Sequence, residues 1–323
     1  MDKALQARVN AILTLARQQD WRDPAFTLLK AHVCAELSAI VYEDVQDYEI
    51  KNASRVHLFT SAAYQRIVKA KVPNSIIQIL GEGDFRERFF VVRGRYAVVL
   101  GAIVDDAVIL AVRGTVFRQL WDWKANVDAR KYHVSPTLVR SPFSHESIGL
   151  EDTHFHRGFF ESIIPQFGSI SDEIKRRVGK DKSTTIVWTG HSLGGAMAAI
   201  GNAMSESWLT REWLRERLPG SVRGAYTFGM PRYGGLGAVC CFVGPHHIYR
   251  PKDLVPSVPL RAMGFADCSR EYAISDSGEV GLTERTDPLD LAGHLPKLLS
   301  SLQAHSIDGY ADALALAVGR SRP

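Results

Sequence analysis

The pentapeptide Gly190-His191-Ser192-Leu193-Gly194 sets a serine between two glycines. It joins an apolar β-branched run, Thr184-Thr185-Ile186-Val187-Trp188-Thr189, to a small-residue stretch, Gly195-Ala196-Met197-Ala198-Ala199-Ile200. Strand, sharp turn and helix are the setting in which a serine hydroxyl becomes useful. That hydroxyl is a poor nucleophile until a base takes its proton and the turn exposes its oxygen. The flanking glycines permit the tight backbone that lifts Oγ above a sheet, a nucleophile elbow. The five residues alone are a weak signal, and a glycine-rich turn without chemistry is the plain alternative. The strand before and the helix after carry the reading.

An elbow serine needs a histidine within hydrogen-bond reach and an acid that holds the imidazole in the right tautomer. Where such elbows stand on α/β sheets, the acid and then the histidine follow the serine along the chain. Of the 11 histidines, only His246, His247, His294 and His305 lie after Ser192. His246 and His247 open an apparent strand and precede nearly every candidate acid. The exceptions, Glu206, Glu212 and Glu216, read as helical surface. His294 and His305 therefore remain, each preceding an apparent helix. The acid belongs in a loop at the carboxyl end of a strand. Asp253 fits, just beyond the run His247-Ile248-Tyr249 and the turn Arg250-Pro251-Lys252. Asp267 is the runner-up, with Asp276, Asp287 and Asp290 behind it. Loop aspartates are also common turn formers and helix caps.

The elements that must hold these groups are legible as patterns. Leu5, Val9, Ile12 and Ala16 recur at helical spacing, which predicts an amphipathic N-terminal helix, packed on the core or lying on a membrane surface. A second helix is expected over Phe26 to Tyr42. From Phe89 the pattern turns to strand: Phe89 to Val92, Tyr96 to Val104 and Val108 to Val112, the last two joined by Asp105-Asp106. A helix is expected over Gly158 to Arg177, strands over Gly224 to Phe228 and His247 to Tyr249, and a last helix from beyond His305 through Leu316. Alternation of this kind indicates a predominantly parallel α/β sheet flanked by helices.

Composition bounds the rest. The 323 residues are 46% hydrophobic and 23% charged, ordinary for a globular enzyme with a sizeable core. A net charge of +4 is small for this length and gives no reason to expect nucleic acid. The densest basic stretch, Arg86, Arg88, Arg93 and Arg95, is broken by acidic residues and reads as a solvated hairpin surface. No apolar run reaches the roughly 18 residues of a membrane span. The four cysteines, Cys34, Cys240, Cys241 and Cys268, lack metal-ligand or C-x-x-C spacing and are expected as reduced, buried thiols. No metal and no organic cofactor are expected.

Five stretches in fixed order add a resemblance. They are Ala111-Val112-Arg113-Gly114-Thr115; His156-Arg157-Gly158-Phe159; Val187-Trp188-Thr189-Gly190-His191-Ser192-Leu193-Gly194-Gly195-Ala196; Tyr226-Thr227-Phe228-Gly229-Met230-Pro231-Arg232; and Tyr249-Arg250-Pro251-Lys252-Asp253-Leu254-Val255-Pro256. Together the chain resembles a class 3 lipase, the fungal-type triacylglycerol lipase group, over roughly residues 30 to 315. The resemblance implies an α/β-hydrolase fold with Ser192 as nucleophile, Asp253 as acid and His305, in His305-Ser306-Ile307-Asp308-Gly309-Tyr310, as base. His294 stands as the alternative base.

A tetrahedral oxyanion needs aimed donors. The elbow supplies the Leu193 N–H, and the resemblance adds Thr115. Beyond Thr115 the resemblance places a lid, with Phe117, Leu120, Trp121 and Trp123 as lid or acyl-groove candidates; a fixed helix whose tryptophans simply pack is the alternative. The expected organisation is one domain over 1–323, with residues 1–50 a helical segment packing on the core and 116–153 the candidate lid and surface loop. The expected activity is hydrolysis of lipid-like carboxylic esters through a Ser-His-Asp triad and an acyl-enzyme, with a lipid–water interface as a candidate setting. Phospholipase A1 or acyltransferase chemistry with the same triad, or a non-catalytic binding module, are the rivals. No export signal or disulfide pattern is visible, which makes a cytoplasmic location the default and signal-independent export the alternative.

Overall fold

Strands stand where the apolar β-branched runs stand. The computed structural model describes residues 3–52, 85, 87–94, 97–114, 130–134, 153–179, 184–206, 218–282, 301 and 303–322. Three antiparallel strands come first: β1 (Phe89–Arg93), β2 (Val98–Val104) and β3 (Ala107–Arg113). The β2–β3 turn is Asp105-Asp106, and Asp105 takes a left-handed φ of 52°, a conformation that aspartate tolerates better than most side chains. Next in the sheet come β6 (Thr185–His191), β7 (Ser221–Phe228), β8 (His246–Tyr249) and β9 (Glu271–Ile274), all parallel with β3. The strand β10 (Val280–Leu282) closes the far edge antiparallel to β9. The order is β1-β2-β3-β6-β7-β8-β9-β10, with a separate two-stranded pair, β4 (Lys131–His133) and β5 (His154–His156).

Because side chains alternate along a strand, the sheet has two apolar faces, and each takes its own helices. Val108, Leu110, Ile186 and Trp188 meet α3 (Arg157–Ile163), α4 (Phe167–Val178) and α5 (Leu193–Glu206). Ile109, Ala111, Val187 and Phe228 meet α1 (Lys3–Arg17), α2 (Leu28–Asn52) and α7 (Ile307–Ala317). A short α6 (Leu236–Cys241) links β7 to β8. The N-terminal stripe behaves as its spacing predicts: Val9, Ile12 and Ala16 are buried against α2 and the sheet.

Three expectations change. The single helix expected over Gly158 to Arg177 is α3 and α4 with a 3-10 turn, Ile164–Gln166, between them. Pro165 lacks an N–H and its ring crowds the preceding turn, so the helix cannot run through it. The β9–β10 hairpin was not foreseen, because its short strands are only partly apolar. Of the described cysteines only Cys34 is buried; Cys240 is exposed and Cys268 half-buried. The residues 283–300, which include His294, Asp287 and Asp290, lie outside the described residues, as do Arg86 and Arg95 of the basic stretch.

Candidate active site

The carboxyl ends of β3, β6, β7 and β8 lie side by side, and the site is assembled on them. Ser192 follows β6 at φ 58°. A non-glycine residue in this left-handed region costs on the order of 1–2 kcal/mol, so the surroundings must hold it there. They do so through backbone. The Ser192 N–H donates to the Phe228 carbonyl at 2.9 Å, and the Ser192 carbonyl accepts from Gly195 N–H at 3.0 Å. The turn is also crowded: a Cβ on Gly194 would strike the Val112 carbonyl and lie 2.6 Å from the Gly114 nitrogen. No other residue fits between the helix start and the end of β3. Leu193 opens α5, and its N–H is one of the first four that an α-helix leaves without an internal acceptor.

Asp253 stands in the turn after β8, its own N–H bonded to the Arg250 carbonyl at 2.9 Å. Its carboxylate is buried and meets three donors. His305 Nδ1 and the Tyr310 hydroxyl reach Oδ2 at 2.8 and 2.7 Å, and the Val255 N–H reaches Oδ1 at 2.9 Å. Burial alone would raise this carboxyl, but the charge and hydrogen bond of His305, with the donors from Tyr310 and Val255, hold it below the usual carboxylate range. Asp253 is therefore the ionised acceptor of a hydrogen bond from His305 Nδ1, which sets the orientation and tautomer of the ring. Nε2 is left as the basic nitrogen, and it lies 2.8 Å from Ser192 Oγ. The three side chains form one buried line of hydrogen bonds, ordered to draw a proton from the serine.

Supporting residues complete the arrangement. Gly229 follows β7 at φ 52°, and a Cβ there would stand 2.6 Å from Asp253 Oδ2 and 3.1 Å from His305 Nδ1. His191 donates from Nε2 to the His305 carbonyl at 2.7 Å, with the two rings 4.5 Å apart. Burial, followed by repulsion from His305, lowers the His191 pKa to about 3, so it stays neutral beside the base. Tyr42 on α2 donates its hydroxyl to the His191 carbonyl and accepts from Gly114 N–H, both at 3.1 Å. This links α2, the elbow and the end of β3.

The two rival acids among the described residues are otherwise engaged. Asp267 pairs with Arg232 at 2.7 Å and with Arg261, and Asp276 pairs with Arg250. His246 binds the Pro24 carbonyl and His247 binds Thr227. Thr115, Phe117, Leu120, Trp121 and Trp123 lie outside the described residues. Tyr310 and Gly229 were missed from sequence, although both sit inside quoted motifs. Tyr310 could have been flagged, since it is the one hydroxyl-bearing aromatic in a helix of alanine and leucine, and a buried tyrosine hydroxyl usually has a partner.

A mostly parallel sheet flanked by helices on both faces, with a serine elbow between a central strand and its helix, defines an α/β-hydrolase. A family model described as lipase (class 3) matches residues 109–263. The match includes Ser192 and Asp253 and ends before His305. The chain is 32% identical over 184 residues to the lipase of Rhizomucor miehei, covering 54% of this chain and 47% of that protein. It is 28% identical over 174 residues to the secreted mono- and diacylglycerol lipase A of Penicillium cyclopium, covering 53% and 49%. The chain thus spans about half the length of the curated relatives it matches. Among solved structures it is similar to a mutant form of MDLA from Penicillium cyclopium, at TM-score 0.48 and 22% identity over 70% of this chain and 80% of that one. The cytoplasmic default is corrected by these findings, because relatives from two Penicillium species are named as secreted proteins.

Proposed function

We propose that this protein hydrolyses carboxylic esters of lipid-like substrates through an acyl-enzyme on Ser192. Support comes above all from one observation, the unbroken line Ser192 Oγ to His305 Nε2 at 2.8 Å and His305 Nδ1 to Asp253 Oδ2 at 2.8 Å. Ser192 attacks the ester carbonyl while His305 takes its proton, and Asp253 stabilises the imidazolium that forms. His305 then returns the proton to the departing alcohol. Water, deprotonated by the same nitrogen, releases the acid and restores the serine. The oxyanion is assigned to the Leu193 N–H and to Thr115, and loss of one such donor typically raises the barrier by about 3 kcal/mol. Phe117, Leu120, Trp121 and Trp123 are assigned to a lid and acyl groove within 116–153, in a single domain spanning 1–323.

The test is hydrolysis of p-nitrophenyl esters from acetate to palmitate, below and above the micellar limit, alongside labelling by a fluorophosphonate. Turnover and labelling that both vanish in Ser192→Ala are expected, with rates rising once an interface forms. Labelling that survives Ser192→Ala, or intact protein that turns over no ester, would overturn the proposal.

A further inference from the structure

Gln303 and Ala304 end a helical turn, and His305 follows it directly, two residues before α7 begins. Its peptide groups are held from inside that turn and from outside it. The His305 N–H donates to the Ser301 carbonyl at 2.9 Å, and Ser301 Oγ accepts from Leu254 N–H at 3.1 Å. The His305 carbonyl is held by His191 at 2.7 Å. The two carbonyls before it, of Gln303 and Ala304, both point at one atom. Arg250 Nη1 donates to them at 3.3 and 3.1 Å.

Arg250 is itself tied into the rest of the site. Its N–H donates to Tyr310 Oη at 3.1 Å, the same hydroxyl that binds Asp253, and its carbonyl accepts from Asp253 N–H. Nε and Nη2 grip Asp276 in the turn between β9 and β10. The guanidinium also packs against Gly309, where a Cβ would collide with Nη1. The side chain is nearly buried, 14% exposed, although its partner Asp276 is two-thirds exposed at 66%. A surface ion pair alone is worth little. The geometry instead sets the guanidinium's flat fork of donors across a strand end, a hairpin turn and two successive carbonyls.

We infer that Arg250 is a positioning residue for the base of the proposed hydrolase: it fixes the backbone directly before His305, so that Nε2 meets Ser192 while Nδ1 meets Asp253. The inference rests on the function proposed above. Lysine cannot do the same work, since a single ammonium cannot span Asp276 and both carbonyls at once. An error of about 1 Å in placing a reacting group costs on the order of 100-fold in rate. Loss of the clamp should therefore lower kcat and leave KM nearly unchanged, because the clamp acts on the backbone that carries His305.

The experiment measures ester hydrolysis and the rate of fluorophosphonate labelling for the full chain, Arg250→Ala, Arg250→Lys and Ser192→Ala, with thermal melting of each. Arg250→Ala is expected to lose about 30-fold or more in kcat and in labelling rate. Its KM should stay within about twofold, and added guanidinium ion should recover much of the loss. Arg250→Lys should be impaired and should not respond to guanidinium. If Arg250→Ala does not fold, Arg250→Lys decides, with a fall in kcat at constant KM expected. Wild-type kcat in Arg250→Ala, or in Arg250→Lys where that variant decides, would overturn the positioning role alone. So would a loss that tracks melting temperature and is not rescued. Wild-type protein that takes no label at Ser192 would instead overturn the hydrolase reading, and the role of Arg250 with it.

Discussion

Ser192 and His305 meet at 2.8 Å, yet they reach that point by opposite means. Ser192 is held by peptide groups. It sits between the middle of the sheet and α5, its N–H and carbonyl are bonded to backbone, and Gly194 lets helix and strand ends touch. His305 has one local backbone bond, to the Ser301 carbonyl, and is otherwise held by side chains from far along the chain: His191 on its carbonyl, Asp253 on its ring and Arg250 on the carbonyls before it, with Tyr310 behind Asp253. A nucleophile built from backbone tolerates change in most surrounding side chains but not in its glycines. A base built from side chains can be weakened one contact at a time. The two halves should therefore fail differently, abruptly on one side and by degrees on the other.

The largest effect should come where the halves join. Asp253→Asn should lower kcat about 10,000-fold with little change in KM, because His305 would lose the partner that fixes its tautomer; steady-state ester hydrolysis reads this directly. Gly229→Ala comes next, at about 100- to 1,000-fold, since its Cβ would press on Asp253 and His305 at once. Gly224→Ala is its control: φ is also positive there, 138°, but a Cβ would meet nothing within 4 Å. It should lower the melting temperature and leave kcat alone. Equal losses of kcat in both would show that backbone strain, not contact with the site, is responsible.

Smaller changes should follow on the side-chain half. Tyr310→Phe removes one of three donors to Asp253 and leaves the Arg250 N–H without its acceptor. About tenfold in kcat and about 1–2 kcal/mol of stability are expected, by kinetics and by urea denaturation. The last effect is on stability, not on kcat, and it is a slope. His191 binds a proton only near pH 3 when folded and near 6.5 when unfolded, so the unfolded chain holds more protons between these values. Its contribution is complete above about pH 6.5 and is lost as pH falls toward 3. Urea titrations between pH 4 and 6 should give His191→Asn a slope shallower than wild type by up to about 1.4 kcal/mol per pH unit. Equal slopes would mean that His191 is not held neutral.

The sequence by itself determined the strand, elbow and helix around Ser192, because local requirements are written locally: a β-branched run, glycines at a turn, small residues against a sheet. It also indicated a predominantly parallel sheet flanked by helices, through the alternation of strand and helix patterns along the chain, and it favoured Asp253 after β8 as the acid while leaving Asp267, Asp276, Asp287 and Asp290 behind it. By residue type it left the base open between His294 and His305, and only the resemblance inclined toward His305. Position in the chain says nothing about which imidazole arrives at an oxygen more than a hundred residues away. Only the tertiary structure decided that Gly229 must lack a side chain, that Tyr310 donates to Asp253, and that Arg250 spans Gln303, Ala304 and Asp276. Each of these depends on segments distant in sequence converging within hydrogen-bond range. Such convergence is fixed by packing of the whole chain and leaves no periodic trace in any one segment.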